Sequence, residues 1–148
     1  MTTSTARFRR IFVDTGAYIA LADADDRHHA AAAALVRELG AGLARVTTWG
    51  VVSEAYTWMR YHLSGPHAQR WLQVLQASAS NGTTQIIYPD ADLDAACQRQ
   101  LQRLSDQKLS YVDGLSLAVL QTTPNIDAVF GFDGHMALGG VAVIPAIP

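Results

Sequence analysis

The chain alternates short β-prone apolar runs with longer segments of helical period, and that alternation is the strongest constraint on what it can fold into. "FRRIFVD" (8–14), "ARVTT" (44–48), "TTQIIYP" (83–89), "DAVFGFD" (127–133) and "VAVIP" (141–145) read as strands. Between them, 26–39, 49–63, 66 to about 77, 90–106 and 110–121 carry apolar residues at helical spacing. Gly40 and Gly42 stop the first of these helices, Thr47 and Thr48 can cap the second, and Pro66 suits the first turn of the third. Strands separated by helices form βαβ units. The expectation is an α/β fold, a three-layer α/β/α sandwich with a mainly parallel central sheet covered on both faces. With 148 residues and no linker or repeat, one domain over 1–148 is expected.

Composition narrows the classes. The single cysteine, Cys97, excludes a disulfide framework and a zinc cluster, and fits a reducing compartment. The N-terminal "MTTSTARFRR" lacks an apolar signal core, and no apolar run approaches the roughly 20 residues of a membrane span, so a cytoplasmic protein without a membrane partner is expected. A net charge of −2 speaks against nucleic acid only if the acids are dispersed. Gathered around divalent cations they would be neutralised, leaving Arg7, Arg9, Arg10, Arg60, Arg70, Arg99, Arg103 and Lys108 to dominate.

Four acids stand out. Asp14 and Asp133 each follow an apolar strand run, where α/β proteins build sites, although either one alone reads better as a turn or N-cap residue. Thr15-Gly16 after Asp14 reads as a turn. Glu54 lies among small and apolar residues, with Trp58 and Tyr61 at i+4 and i+7, so its helix face is not simply solvent. Asp113 is the only charged residue between Lys108 and Asp127, in an otherwise apolar helix. An unpartnered buried carboxylate is costly. Hard divalent cations resolve that cost, and two of them can activate a water and stabilise the leaving oxygen of a phosphodiester.

"FVDTGAYIAL", "VVSEAY", "LSYVDGLSLAV" and "VFGFDGHM" resemble, in that order and over essentially the whole chain, the four acidic motifs of PIN-domain ribonucleases. "DRHHAAA" and the terminal "GGVAVIP" add smaller matches. The short form is similar to VapC-type toxins of prokaryotic toxin–antitoxin pairs. The resemblance implies an endoribonuclease dependent on one or two Mg²⁺ or Mn²⁺ ions, a homodimer, an RNA substrate and a cognate antitoxin. It makes Asp14, Glu54, Asp113 and Asp133 the metal-binding catalytic carboxylates, with Thr15 or Gly16 orienting Asp14 and a bound water. Ser110, which also suits the N-cap of the Asp113 helix, occupies a further supporting position.

The chain departs from the family pattern at Gly131, where Thr or Ser is frequent, at Met136, where an aromatic is usual, and at Gly114, where alanine is usual. Other readings fit less well. "VDTGA" also matches the aspartic protease loop, but that fold is all-β. A dehalogenase-like phosphatase wants an aspartate where Gly16 stands, and a receiver domain wants a lysine after its last strand, whereas none follows Lys108. The histidines His28, His29, His62, His67 and His135 lack zinc spacing and read as surface or helix-start residues. Trp49, Trp58 and Trp71, with Tyr56 and Tyr61, read chiefly as core, an exposed subset being suited to a dimer seam or an antitoxin groove. The non-enzymatic alternative is a PIN-like scaffold that binds RNA or protein without cutting.

Overall fold

β1 (Arg10–Val13) is buried on both faces, with Ile11 and Phe12 fully inaccessible and Val13 nearly so. A strand with no solvent face belongs in the middle of a sheet. A computed structural model, which describes residues 8–146, has it there: five strands run in the order β3-β2-β1-β4-β5, and every neighbouring pair is parallel. β2 spans Ala44–Thr48, β3 Thr84–Ile87, β4 Ala128–Phe130 and β5 Ala142–Ile144. Phe12 sits opposite Val46 on one side and Val129 on the other, so register aligns the apolar centres of three strands.

Two helices follow each of the first three strands: α1 (Thr15–Ala22) and α2 (His29–Leu39), α3 (Trp49–His62) and α4 (Gly65–Ser80), α5 (Ala91–Arg103) and α6 (Tyr111–Thr122). A 3-10 helix over Gly134–Gly139 links β4 to β5. Helices α1 to α4 pack on one another, and α5, α6 and the 3-10 helix form a second group. Right-handed crossovers put these groups on opposite faces, because the chain moves one way from β1 to β3 and the other way from β3 through β4 to β5. The direction reverses between β1 and β4. In open parallel sheets the crevice beyond such a reversal is where ligands sit.

The caps follow the sequence closely. Thr48 Oγ1 accepts from Val51 N at 3.1 Å, and Ser64 Oγ accepts from His67 N at 3.1 Å with Pro66 in the first turn of α4. Two departures from the family pattern have a packing explanation. A Cβ on Gly114 would lie 2.9 Å from Cys97 Sγ and from Leu101, so glycine is what lets α5 and α6 approach this closely. Met136, a residue of the 3-10 helix, is fully buried and serves as core.

One expectation is overturned. Thr15 and Gly16 do not form a turn; they open α1, with Asp14 as its N-cap in extended geometry. Residues 15–22 are apolar nearly all round, so they carry no one-sided helical period, and the strand passes into the helix with no loop between them.

Candidate active site

Three chain segments converge beyond the C-terminal ends of β1 and β4. Asp14 is fixed first: its backbone N donates to Phe130 O at 2.9 Å, extending the β1–β4 ladder by one bond, and its carbonyl accepts from Ala17 N and Tyr18 N. Its side chain is 4% exposed and makes no side-chain capping bond. Burial pushes the carboxyl from 3.8 up to about 7. The Thr15 backbone N–H works against this, while the negative charges of Asp113, Asp133 and Glu54, in that order, add to it.

Asp113 and Asp133 are held more openly. Asp113 is the third residue of α6 in a reciprocal capping box: Ser110 Oγ accepts from Asp113 N at 3.1 Å, and Asp113 Oδ2 accepts from Ser110 N at 3.0 Å. Ser110 is therefore the N-cap that the sequence suggested, with its hydroxyl engaged in that task. Asp133 caps the 3-10 helix, its Oδ1 accepting from His135 N at 2.9 Å with His135 Nδ1 at 3.1 Å. Asp113, Asp133 and His135 offer ligand atoms that all lie within 4.8 Å of one another.

Several sequence expectations change. The costly buried acid is Asp14, whereas Asp113 is half-buried and capped. Glu54 is exposed on α3, because the face it shares with Trp58 and Tyr61 fronts an open groove. Like Asp14, it stands outside the 4.8 Å group, and its charge is the weakest of the three acting on Asp14. His135 does start a helix, as its sequence suggests, but it also joins the acids. A strand-end aspartate that caps the next turn brings residue i+2 back onto its carboxylate, and "DGH" carries that signal.

The supporting residues divide. Thr15 is buried, and its Oγ1 pairs with no other group among the described residues. Gly16 lies against Phe132 at ordinary contact distance. Gly131 matters sterically: a Cβ there would come within 3.0 Å of Asp14 Cβ and 3.4 Å of Asp14 Oδ2, so the missing hydroxyl is replaced by close approach of backbone to carboxylate.

The cations are mostly elsewhere. Arg9 and Arg10 lie at the opposite, N-terminal edge of the sheet, and Arg7 falls outside the described residues. Arg60 lies against Gly65, Arg103 bonds Gln100, Arg70 is exposed on α4, and Arg99 lines a separate cavity beside α5. Lys108, two residues before Ser110, is the one expected cation in a segment that feeds the site. Arg27, absent from the expected set, bonds His28, whose ring stacks on Phe132 at 4.2 Å beside Asp133.

A five-stranded parallel sheet in this order, with helices on both faces and acids gathered at the switch between β1 and β4, defines the PIN-domain fold. Among solved structures, the chain is similar to VapC20 of Mycobacterium tuberculosis, described as a sarcin-ricin loop cleaving toxin. The TM-score is 0.78, with 24% identity over 89% of this chain and 96% of that one. At that identity the likeness is one of fold. No family model matches the chain, and no curated protein matches its sequence. Among the described residues, no helix is long and apolar enough to cross a membrane.

Proposed function

We propose that this protein is a metal-dependent endoribonuclease hydrolysing RNA phosphodiester bonds, the toxin of a toxin–antitoxin pair. On this reading it acts in the cytoplasm as a homodimer and is inhibited by a cognate antitoxin. The observation that carries the reading is the buried Asp14 carboxylate, crowded by Asp113 and Asp133 at the switch point of the sheet. A bound cation offsets that crowding, and Thr15, next in the chain, keeps a buried hydroxyl with no partner among the described residues.

The donor set fits Mg²⁺ or Mn²⁺, because its close group is two carboxylates with one imidazole and no thiolate, and the Asp14 carboxyl lies near enough to feel their charge. Asp14, Asp113 and Asp133 would hold one or two ions, with Glu54 completing the acid set from α3. When bound, such an ion supplies Lewis acidity at a phosphoryl oxygen and offsets charge developing at phosphorus. The protein's own contribution is rigidity. β1 delivers Asp14, the Ser110 N–H engages one oxygen of Asp113, the His135 N–H engages one oxygen of Asp133, and the second oxygen of each stays available. Attack by water leaves a 3′-hydroxyl and a 5′-phosphate. Attack by a 2′-hydroxyl would call for a pair of acid–base imidazoles, and His135 is the single histidine in the group.

The test is cleavage of tRNA and ribosomal RNA fragments, a sarcin–ricin loop among them because of the likeness to VapC20. It is run with Mg²⁺, Mn²⁺ or EDTA, and with Asp113→Asn as control. Discrete metal-dependent cuts ending in 5′-phosphate, absent from the variant, are the expected result. A cyclic phosphate would overturn the chemistry. No cutting, together with no metal uptake by calorimetry, would favour the non-catalytic scaffold.

A further inference from the structure

Where α3 meets α6, an open groove of about 570 Å³ runs along α3, walled by Trp49, Glu54, Trp58, Tyr61, Tyr111 and Leu115. It lies beside the candidate active site: Glu54, whose charge acts on Asp14, stands in its wall, and Val112, also in the lining, is the neighbour of Asp113 on α6. Trp49 and Tyr111 are the first residues of α3 and α6, about half exposed at 50% and 46%. Neither ring is stacked on another aromatic among the described residues, whereas Trp58 lies flat on His62 and Trp71 is edge-on to Tyr18. The Tyr111 hydroxyl donates to Asp94 of α5, which fixes the ring's position and leaves its face free. No lysine or arginine lines the groove.

We infer that this groove is a base-stacking subsite, in which a nucleobase of a single-stranded substrate, next to the scissile phosphate, lies against Trp49 and Tyr111. The inference rests on the ribonuclease reading and extends it from the reacting phosphate to the adjoining nucleotide. An apolar, aromatic and cation-free groove repels phosphate and accepts the uncharged part of a nucleotide. Every base has a π-face, so such a platform grips single strands with little preference for sequence. With cations on the acids the scissile phosphate would be held beside the groove, and a neighbouring platform would turn contact with one base into selection for unpaired RNA, because a paired base cannot be splayed onto the rings.

The experiment measures binding of short fluorescein-labelled single-stranded oligoribonucleotides in Mg²⁺, using Asp113→Asn protein so that the strand survives, with each position in turn made abasic. Cleavage by the protein carrying all four acids maps the cut in parallel. Removing the base adjacent to the cut is expected to weaken binding between about fivefold and a hundredfold. Trp49→Ala or Tyr111→Ala added to that background should weaken the intact strand similarly and abolish the abasic effect at that position, while Trp49→Phe should retain most of it. Both rings are half exposed, and thermal unfolding of each variant checks that it folds. If Trp49→Ala and Tyr111→Ala leave the abasic effect intact, the inference falls. If Trp49→Ala instead turns a dimer into a monomer in sedimentation, with base dependence unchanged, the groove is a seam between two copies and the inference is overturned. Cutting without any base dependence defeats the subsite alone; base-dependent binding without cutting defeats the nuclease reading and, with it, a subsite placed beside a scissile phosphate.

Discussion

The two ends of the central sheet treat an aspartate in opposite ways. At the N-terminal edge, one Asp127 oxygen accepts from the backbone N–H groups of Arg9 at 2.7 Å and Arg10 at 3.2 Å, and Asp127 N returns a bond to Arg10 O. That carboxylate is a structural clasp holding the start of β1 against the start of β4. At the C-terminal edge, Asp14 occupies the matching place beyond the other end of β1, is buried, and is surrounded by like charge. Two strand-end aspartates that look alike in sequence therefore differ in what they leave unfinished. A satisfied acid stabilises the fold, whereas a crowded acid without a cation destabilises it, and sites tolerate such local cost when function requires it.

The largest expected contrast is in activity. Asp14→Asn should lower RNA cleavage by more than about a hundredfold, beyond the range seen when only an outer-shell partner of a metal ligand is lost. Asp127→Asn should leave the rate of the folded protein unchanged. A comparable loss at Asp127, assayed at a temperature where both variants are folded, would break the distinction between the two edges.

Stability against pH gives the next contrast. In EDTA, the Asp14 carboxyl ionises near 3.8 in the unfolded chain and at about 7 in the folded one, so the folded state binds more protons across that interval. Stability should be greatest below about pH 4 as far as this group is concerned. It should fall as pH rises to about 7 and level off above that, by an amount on the order of a few kcal/mol. Asp14→Asn should flatten this slope and raise the melting temperature of the metal-free protein at pH 8, and Mg²⁺ should do the same for the parent. Asp113→Asn should give a smaller gain, because Asp113 is half-buried and its retained oxygen can still accept from Ser110 N. A metal-free parent whose denaturant midpoint does not change between pH 5 and pH 8 would contradict the raised ionisation of the buried Asp14 carboxyl.

Smaller effects sharpen the structural side. Asp127→Ala removes an ionised acceptor from two backbone donors and should cost about 1.5–3 kcal/mol in urea unfolding, with activity per folded molecule retained. Ser110→Ala removes one half of the α6 capping box and should cost about 1 kcal/mol, together with a modest loss of metal affinity as Asp113 loosens. If Ser110→Ala abolished cleavage at full metal occupancy, its hydroxyl would have a role in chemistry that the cap geometry does not account for.

Strand and helix periods made most of the architecture legible in the sequence. The segment 44–48 is β2 to the residue, and α3 ends one residue short of the expected 63. α1 was not legible, because an all-apolar helix has the same short-range pattern as a buried strand end. In the site, Asp14 and Asp133 could be located because a strand's end is visible in its pattern. The depth of each acid could not. Glu54 stands beside small residues and aromatics in the sequence, but exposure depends on whether another helix covers that face, and α6 meets α3 only near Gly50 and Leu115. His135 joined the acids through cap geometry rather than spacing. Gly114 and Gly131 both looked like losses from a pattern, and in space each is where two parts of the chain approach too closely for a Cβ.

The bond from Asp14 N to Phe130 O has a consequence for dynamics. It continues the pairing of the two most deeply buried strands, so the amide of the central acid belongs to the cooperative unit that opens last. In hydrogen exchange it should be among the slowest amides in the protein, exchanging only through global unfolding. Asp113 and Asp133 beside it are held more openly, yet the strand end that carries Asp14 cannot fray. Control of such a site has to come from something laid across it, because the sheet beneath cannot be loosened locally to switch it off.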